Sequence, residues 1–139
     1  MGLDQYCYAV RDTGDLPDIG YVHPRILDDL PEEARLHFLR ENPKFPMMYW
    51  RKHPDLHGWM ERLYRQRGGE GDFNCVSVRL TLGDLQRLLD DLYNDRLPQT
   101  SGFFFGTSDP TRKGEDCDFV SRAFTVIEHG WAVYYDSWW

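Results

Sequence analysis

The stretch Tyr49-Trp50-Arg51-Lys52-His53-Pro54 concentrates more chemistry than any other part of the chain. Two cations and an imidazole stand just before a predicted helix start. A helix N-terminus attracts anions, because its first amides are unpaired and its dipole is positive there. Arg51 could grip a phosphate or carboxylate through two parallel hydrogen bonds. Lys52 would add a point charge, and Tyr49 or Trp50 could stack on a base or sugar ring. The pattern reads as a pocket for a nucleotide or other small phosphate-bearing ligand. The competing reading makes Trp50 core, His53 a helix cap and Arg51 half of an ion pair.

His53 and His57 are spaced i, i+4, as two zinc ligands on a helix would be. Pro54 puts His53 at the helix edge and no Glu follows it, so no metal is expected. Ser101 lies in Thr100-Ser101-Gly102, which with Gly106-Thr107-Ser108 flanks Phe103-Phe104-Phe105. The glycines permit unusual backbone angles, and Ser101 or nearby amides could touch a ligand. Alternatively, alternate phenylalanines are core and the glycines only turn the chain. The chain closes on Tyr134-Tyr135-Asp136-Ser137-Trp138-Trp139. These rings either complete the core or form a surface patch; Asp136 and Trp138 could line a site opposite Arg51. Ser, His and Asp are all present, but no G-x-S-x-G or other nucleophile context joins them. No catalytic residue and no cofactor is assigned. An enzyme would need His53 or His57 as acid–base with Asp136 as partner, and that reading ranks last.

The elements that must position these residues follow from periodicity. Residues 3–10 are aromatic and β-prone and read as a strand, and 11–24 as a loop through Gly14, Pro17, Gly20 and Pro24. Pro31, Glu32 and Glu33 open a short helix carrying Leu36, Phe38 and Leu39, which Asn42-Pro43 ends. Pro43 and Pro46 then break the chain. Leu56, Trp59, Met60, Leu63 and Tyr64 form one helical stripe after Pro54, closed by Gly68-Gly69. Residues 73–80 alternate as a strand, with Val76, Val78 and Leu80 on one face. Thr81 and Asp84 form a capping box ahead of Leu85, Leu88, Leu89 and Leu92. Residues 97–110 are a short strand or an ordered loop. A helix over 115–129 ends at Gly130, and 131–138 is a strand. The expected fold is one α+β domain over 1–139, with a three- or four-stranded mixed or antiparallel sheet and helices packed on one side.

Composition narrows the function classes. With 139 residues and 15% aromatics, the chain can build its own core. A net charge of -7 disfavours direct nucleic-acid or membrane-surface binding. Cys7, Cys75 and Cys117 are odd in number and form no CxxC, so they read as buried, reduced thiols of a cytoplasmic protein. No apolar run approaches the ~20 residues of a membrane helix, and the N-terminus lacks the basic start of a signal peptide.

Five separated stretches carry a family resemblance: MGLDQYCYA, YWRKHPDLHGWME, FNCVSVRLTLGDLQRL, LPQTSGFFFG and VYYDSWW. In collinear order they cover most of the chain. The chain resembles a family of small uncharacterised proteins from tailed phages and proteobacterial prophages. Members sometimes carry the name phosphoglycerate kinase. The name does not suit this chain, which is far too short for that two-domain enzyme and has no nucleotide-binding Gly motif. Against those members, residues about 16–46 look like an insertion. The resemblance implies work in a host cytoplasm. The leading expectation is a non-enzymatic accessory protein that binds a host macromolecule, as a host-takeover or anti-defence inhibitor. The alternative is a small-ligand binder holding a phosphate-bearing molecule at Tyr49–His57.

Overall fold

The first and last strands of the chain are neighbours at the centre of one sheet. In the computed structural model, which describes residues 2–20, 29–41 and 43–139, β1 (Asp4–Arg11) pairs antiparallel with β4 (Trp131–Trp138) along its whole length, from Asp4↔Trp138 to Arg11↔Trp131. β2 (Phe45–Arg51) lies outside β1, and β3 (Val78–Leu80) lies outside β4. The sheet order is β2-β1-β4-β3, antiparallel throughout. The helices are α1 (Glu32–Glu41), α2 (Pro54–Gln66), α3 (Leu82–Tyr93) and α4 (Lys113–Glu128). This is the α+β domain expected from the periodicities.

Alternation along the strands sorts side chains onto two faces. Cys7, Ala9, Val133 and Tyr135 point inward with Trp50, and against them pack Leu56, Met60 and Leu63 of α2, Leu85, Leu88 and Leu92 of α3, and Phe119, Val120 and Ala123 of α4. Each fully buried Leu or Phe contributes roughly 1.5–3 kcal/mol. The other face holds a smaller cluster, Tyr8, Val10, Ala132 and Tyr134, partly covered by Leu16.

Local sequence explains the helix ends. The Thr81 hydroxyl accepts from the Asp84 amide, and Asp84 accepts from the Thr81 amide, completing the expected capping box. Gly130 follows α4 with φ +90°, a left-handed turn that glycine adopts without strain.

Several expectations change. Phe45–Arg51 is a strand, not a broken segment. Pro46 is tolerated because β2 is an edge strand with a bulge opposite Cys7/Tyr8. The strand expected over 73–80 shrinks to Val78–Leu80, since Cys75 takes a left-handed φ of +59°. Residues 97–109 are loop, and Pro110 opens a short 3-10 turn, Pro110–Arg112. No described side chain of α1 belongs to either core cluster, and its Leu36 is exposed. Of the segment about 16–46, and of the loop read over 11–24, residues 21–28 and 42 lie outside the described residues. Among the cysteines, Cys7 is buried as expected, but Cys75 and Cys117 are only half-buried. No helix among the described residues is long and apolar enough to cross a membrane.

Candidate functional site

The turn from β2 into α2 sends successive side chains to different places. Trp50 enters the core. Tyr49 and Arg51 stand on the opposite face of the sheet, where both donate to the same Asp4 oxygen, at 2.6 and 3.0 Å. That carboxylate, accepting the hydroxyl's hydrogen bond, pushes the Tyr49 pKa up. Lys52 takes φ +57° and donates its amide to the Leu3 carbonyl at 2.8 Å. Its aliphatic stem lies over Gly106, where an added Cβ would come within 3.0 Å of the lysine side chain. The two cations therefore do not converge on the start of α2. That start is filled from within the protein: the Asp55 amide donates to Ser108 Oγ at 3.1 Å. His53 holds the N-cap position but makes no side-chain cap. Its backbone is clamped instead by Gln5, which accepts from the His53 amide at 2.8 Å and donates to its carbonyl at 3.0 Å.

The His53 side chain is the middle of a polar chain. Asp116, buried on the inner stripe of α4, accepts from Trp50 Nε1 at 2.8 Å and meets His53 Nε2 at 2.7 Å. His53 Nδ1 lies 2.8 Å from Ser108 Oγ. A carboxylate can only accept, so in the neutral imidazole Nε2 carries the proton and Nδ1 accepts from the serine hydroxyl. His53, Ser108 and Asp116 line a cleft of about 160 Å³ with Asp55, Asp95, Asp109 and Lys113 on its walls. Lys113 donates to Asp95 at 3.1 Å and to the Tyr93 carbonyl at 3.2 Å. Carboxylates outnumber cations around this cleft, which disfavours a phosphate-bearing ligand there.

His57 does not share that cleft. It is buried, with Nδ1 2.8 Å from the Tyr135 hydroxyl and its ring against Phe73 and Phe105. Burial pulls its pKa down to about 4, so the ring is neutral at pH 7. The two histidines thus diverge. Among the described residues no group of three or more His, Cys, Asp or Glu is placed to hold a metal. Asp136 follows Tyr135 in β4 and so faces the far side of the sheet, away from both histidines. The carboxylate that meets His53 is Asp116, not Asp136. Ser101 is exposed on the loop and outside the cleft.

Aromatic rings gather at the end of the sheet where β4 finishes. Of the three consecutive phenylalanines only Phe105 is buried, packed edge-on against Trp139 at 5.4 Å. Phe103 is 81% exposed and Phe104 49%, so the expectation of alternate core phenylalanines fails. Phe104 takes φ +68°, an unusual angle for a bulky residue. Trp138 is 59% exposed and sits opposite Asp4, the residue that holds Tyr49 and Arg51. Tyr49 packs on Tyr6 at 5.3 Å, and both are exposed. The closing tryptophans therefore belong to a surface, with Trp139 anchored by its indole N–H to the Phe73 carbonyl at 2.9 Å.

No family model matches the chain, and neither a curated protein nor a solved structure matches it. The site therefore stands on its own geometry. Ser108 and Asp116 are the two residues that the sequence reading missed. Asp116 had a signal: it falls at i with Phe119, Val120 and Ala123 at i+3, i+4 and i+7, a carboxylate on the apolar stripe of a helix. Ser108 had none.

Proposed function

We propose that the chain is an accessory protein that binds a host macromolecule, and that its contact surface is the aromatic end of the sheet. The observation that carries this reading is the exposure of Phe103, Phe104 and Trp138, the chain neighbours of the touching Phe105 and Trp139 rings, together with the exposed Tyr6–Tyr49 pair on β1 and β2. Interfaces concentrate their binding energy in aromatic residues and arginine, and a soluble protein rarely exposes such rings together without use. Arg51 lies among them, fixed by Asp4. The net charge of -7 favours a partner with basic groups around an apolar pocket. That makes a protein a better fit than a nucleic acid. The resemblance in the sequence motifs supplies the host setting, as a takeover or anti-defence inhibitor. The rings supply the mode of contact.

The test compares two baits in host lysate: the wild-type protein and a Phe103→Ser/Trp138→Ser variant. Both positions are exposed, so the variant keeps its fold. A protein retained by the first and lost by the second supports the reading. Identical captures from both baits, or recovery of nucleic acid in place of protein, would sink it.

A further inference from the structure

The cleft between α2 and α4 supports an activity separate from binding at the aromatic end. We infer that Ser108 is a nucleophile, activated by His53 and Asp116, and that the cleft takes a small neutral or cationic ester. Three observations combine. The serine hydroxyl, the imidazole and a buried carboxylate form one unbroken relay, at 2.8 and 2.7 Å. The imidazole tautomer is fixed by the carboxylate, which leaves Nδ1 as the acceptor facing Ser108. All three groups line a cleft open to solvent.

The order of groups is that of a hydroxyl nucleophile, its base and the residue that orients the base. The two ring nitrogens have swapped places relative to the familiar serine hydrolases, with Nδ1 towards the serine and Nε2 towards the carboxylate. The relay needs only that one nitrogen donate and the other accept. Asp116 is held by a further donor, Trp50 Nε1 at 2.8 Å, which fixes the carboxylate as the carboxylate fixes the ring. The Asp55 amide at the start of α2 donates to Ser108 Oγ at 3.1 Å. It therefore stabilises the negative charge that grows on Oγ as the proton leaves. Lys113 has three N–H donors and, among the described residues, two acceptors, Asp95 and the Tyr93 carbonyl, so one donor remains for a substrate oxygen.

The reaction balances with water alone. Ser108 Oγ bonds to the ester carbonyl carbon as its proton moves to His53 Nδ1; Nε2–H stays with Asp116. The bond from carbonyl carbon to alcohol oxygen breaks, and the alcohol leaves with the proton from Nδ1. Water then adds to the acyl-serine, gives a proton to Nδ1, and the acid departs as Oγ takes that proton back. The cleft volume of about 160 Å³ suits a short acyl group. The carboxylates of Asp55, Asp95 and Asp109 turn away anionic esters.

The test treats the folded wild-type protein with a small alkyl fluorophosphonate and maps the adduct by mass spectrometry. Oγ bonds to phosphorus, fluoride leaves, and the proton passes to His53. The expected result is one adduct per chain, at Ser108, formed about 100-fold or more slowly in His53→Gln. A second arm compares p-nitrophenyl acetate with p-nitrophenyl hemisuccinate; the neutral ester is cleaved at least about 10-fold faster, from the like-charge cost of bringing an anion to the cleft. No adduct at Ser108 in the wild type overturns the inference, whatever the variants do. So does equal labelling of several serines. Loss of stability in Ser108→Ala with no wild-type adduct identifies a tether that only anchors the 97–110 loop. Equal cleavage of the two esters overturns the assignment of the ligand class. None of these outcomes bears on capture at Phe103 and Trp138.

Discussion

His57 Nδ1 and the Tyr135 hydroxyl lie 2.8 Å apart, and both groups are shut away from water. This bond ties α2 to the central strand β4, between the rings of Phe73 and Phe105. It also makes folding pH-dependent. The folded His57 has a pKa of about 4 against an ordinary 6.5, because burial penalises its charged form. Below pH 6.5 the unfolded chain binds a proton that the folded chain refuses, so stability falls as the pH drops from 6.5 to about 4. The loss reaches up to about 3 kcal/mol. Urea denaturation across that range should show it, and His57→Gln should flatten the slope. An unchanged slope in that variant would assign the acid sensitivity to another group.

Asp84 contributes a second acid-sensitive anchor. Burial pushes its pKa up, but the Thr81 amide and hydroxyl and the Arg67 guanidinium outweigh that and hold it below the ordinary carboxylate value. A depressed carboxylate stabilises the fold above its unfolded pKa, and that stability drains away as pH falls through the folded value. Asp84→Ala should cost about 3 kcal/mol, since it strips a helix cap and leaves Arg67 without its buried partner. Arg67 and Arg87 both pair with this carboxylate, but Arg87 is largely exposed. Arg87→Ala should therefore shift stability by less than about 1 kcal/mol. Chemical denaturation of the two variants separates these contributions.

The sequence exposed what is local and hid what is not. α2, α3 and the end of α4 were legible because stripes of Leu and Phe coincide with Thr81, Asp84, Gly68 and Gly130 at the proper ends. β2 was hidden because Pro46 and the bulge disturb the two-residue alternation that marks a strand. The pairing of β1 with β4 joins the two ends of the chain, and no local pattern records it. The same holds for the cleft. His53 was singled out as polar beside a helix start, but its partners lie 55 and 63 residues away in sequence. Arg51 and His53 are adjacent but for one residue, and a strand end sends them to opposite sides of the sheet. Spacing along the chain could not reveal that separation.

Two indole donors offer a comparison of burial. Trp50 Nε1 donates to Asp116, whose side chain is nearly inaccessible, while Trp59 Nε1 donates at 2.9 Å to Asp91, which reaches solvent. Replacing either by Phe removes the donor and keeps a ring. An acceptor stripped in the interior pays its full desolvation, about 1–3 kcal/mol, whereas water can replace the donor at Asp91. Trp50→Phe should thus be the more destabilising by about 1 kcal/mol or more. Thermal unfolding of the two variants at pH 7 gives the comparison, and equal losses would show that Asp116 is reached by water.

Gly58 lies inside α2, where glycine ordinarily weakens a helix by about 1 kcal/mol relative to alanine. Its absence of a side chain has a local cause. A Cβ at this position would overlap Thr100 Oγ1 and lie 2.9 Å from Thr100 Cβ. Thr100 is itself pinned, its amide donating to the Asp55 carboxylate at 3.0 Å and its hydroxyl to the Pro98 carbonyl at 2.8 Å. The loop that carries Phe103 and Ser108 is therefore laid directly on the glycine. Gly58→Ala should destabilise by about 1–3 kcal/mol through this overlap, despite its better helix propensity. Combining it with Thr100→Gly removes the overlapping Oγ1, Cβ and Cγ2 atoms, so the double variant should recover stability relative to Gly58→Ala alone. A double-variant cycle of urea midpoints measures the coupling, and purely additive losses would mean that the loop does not rest on α2 at this point.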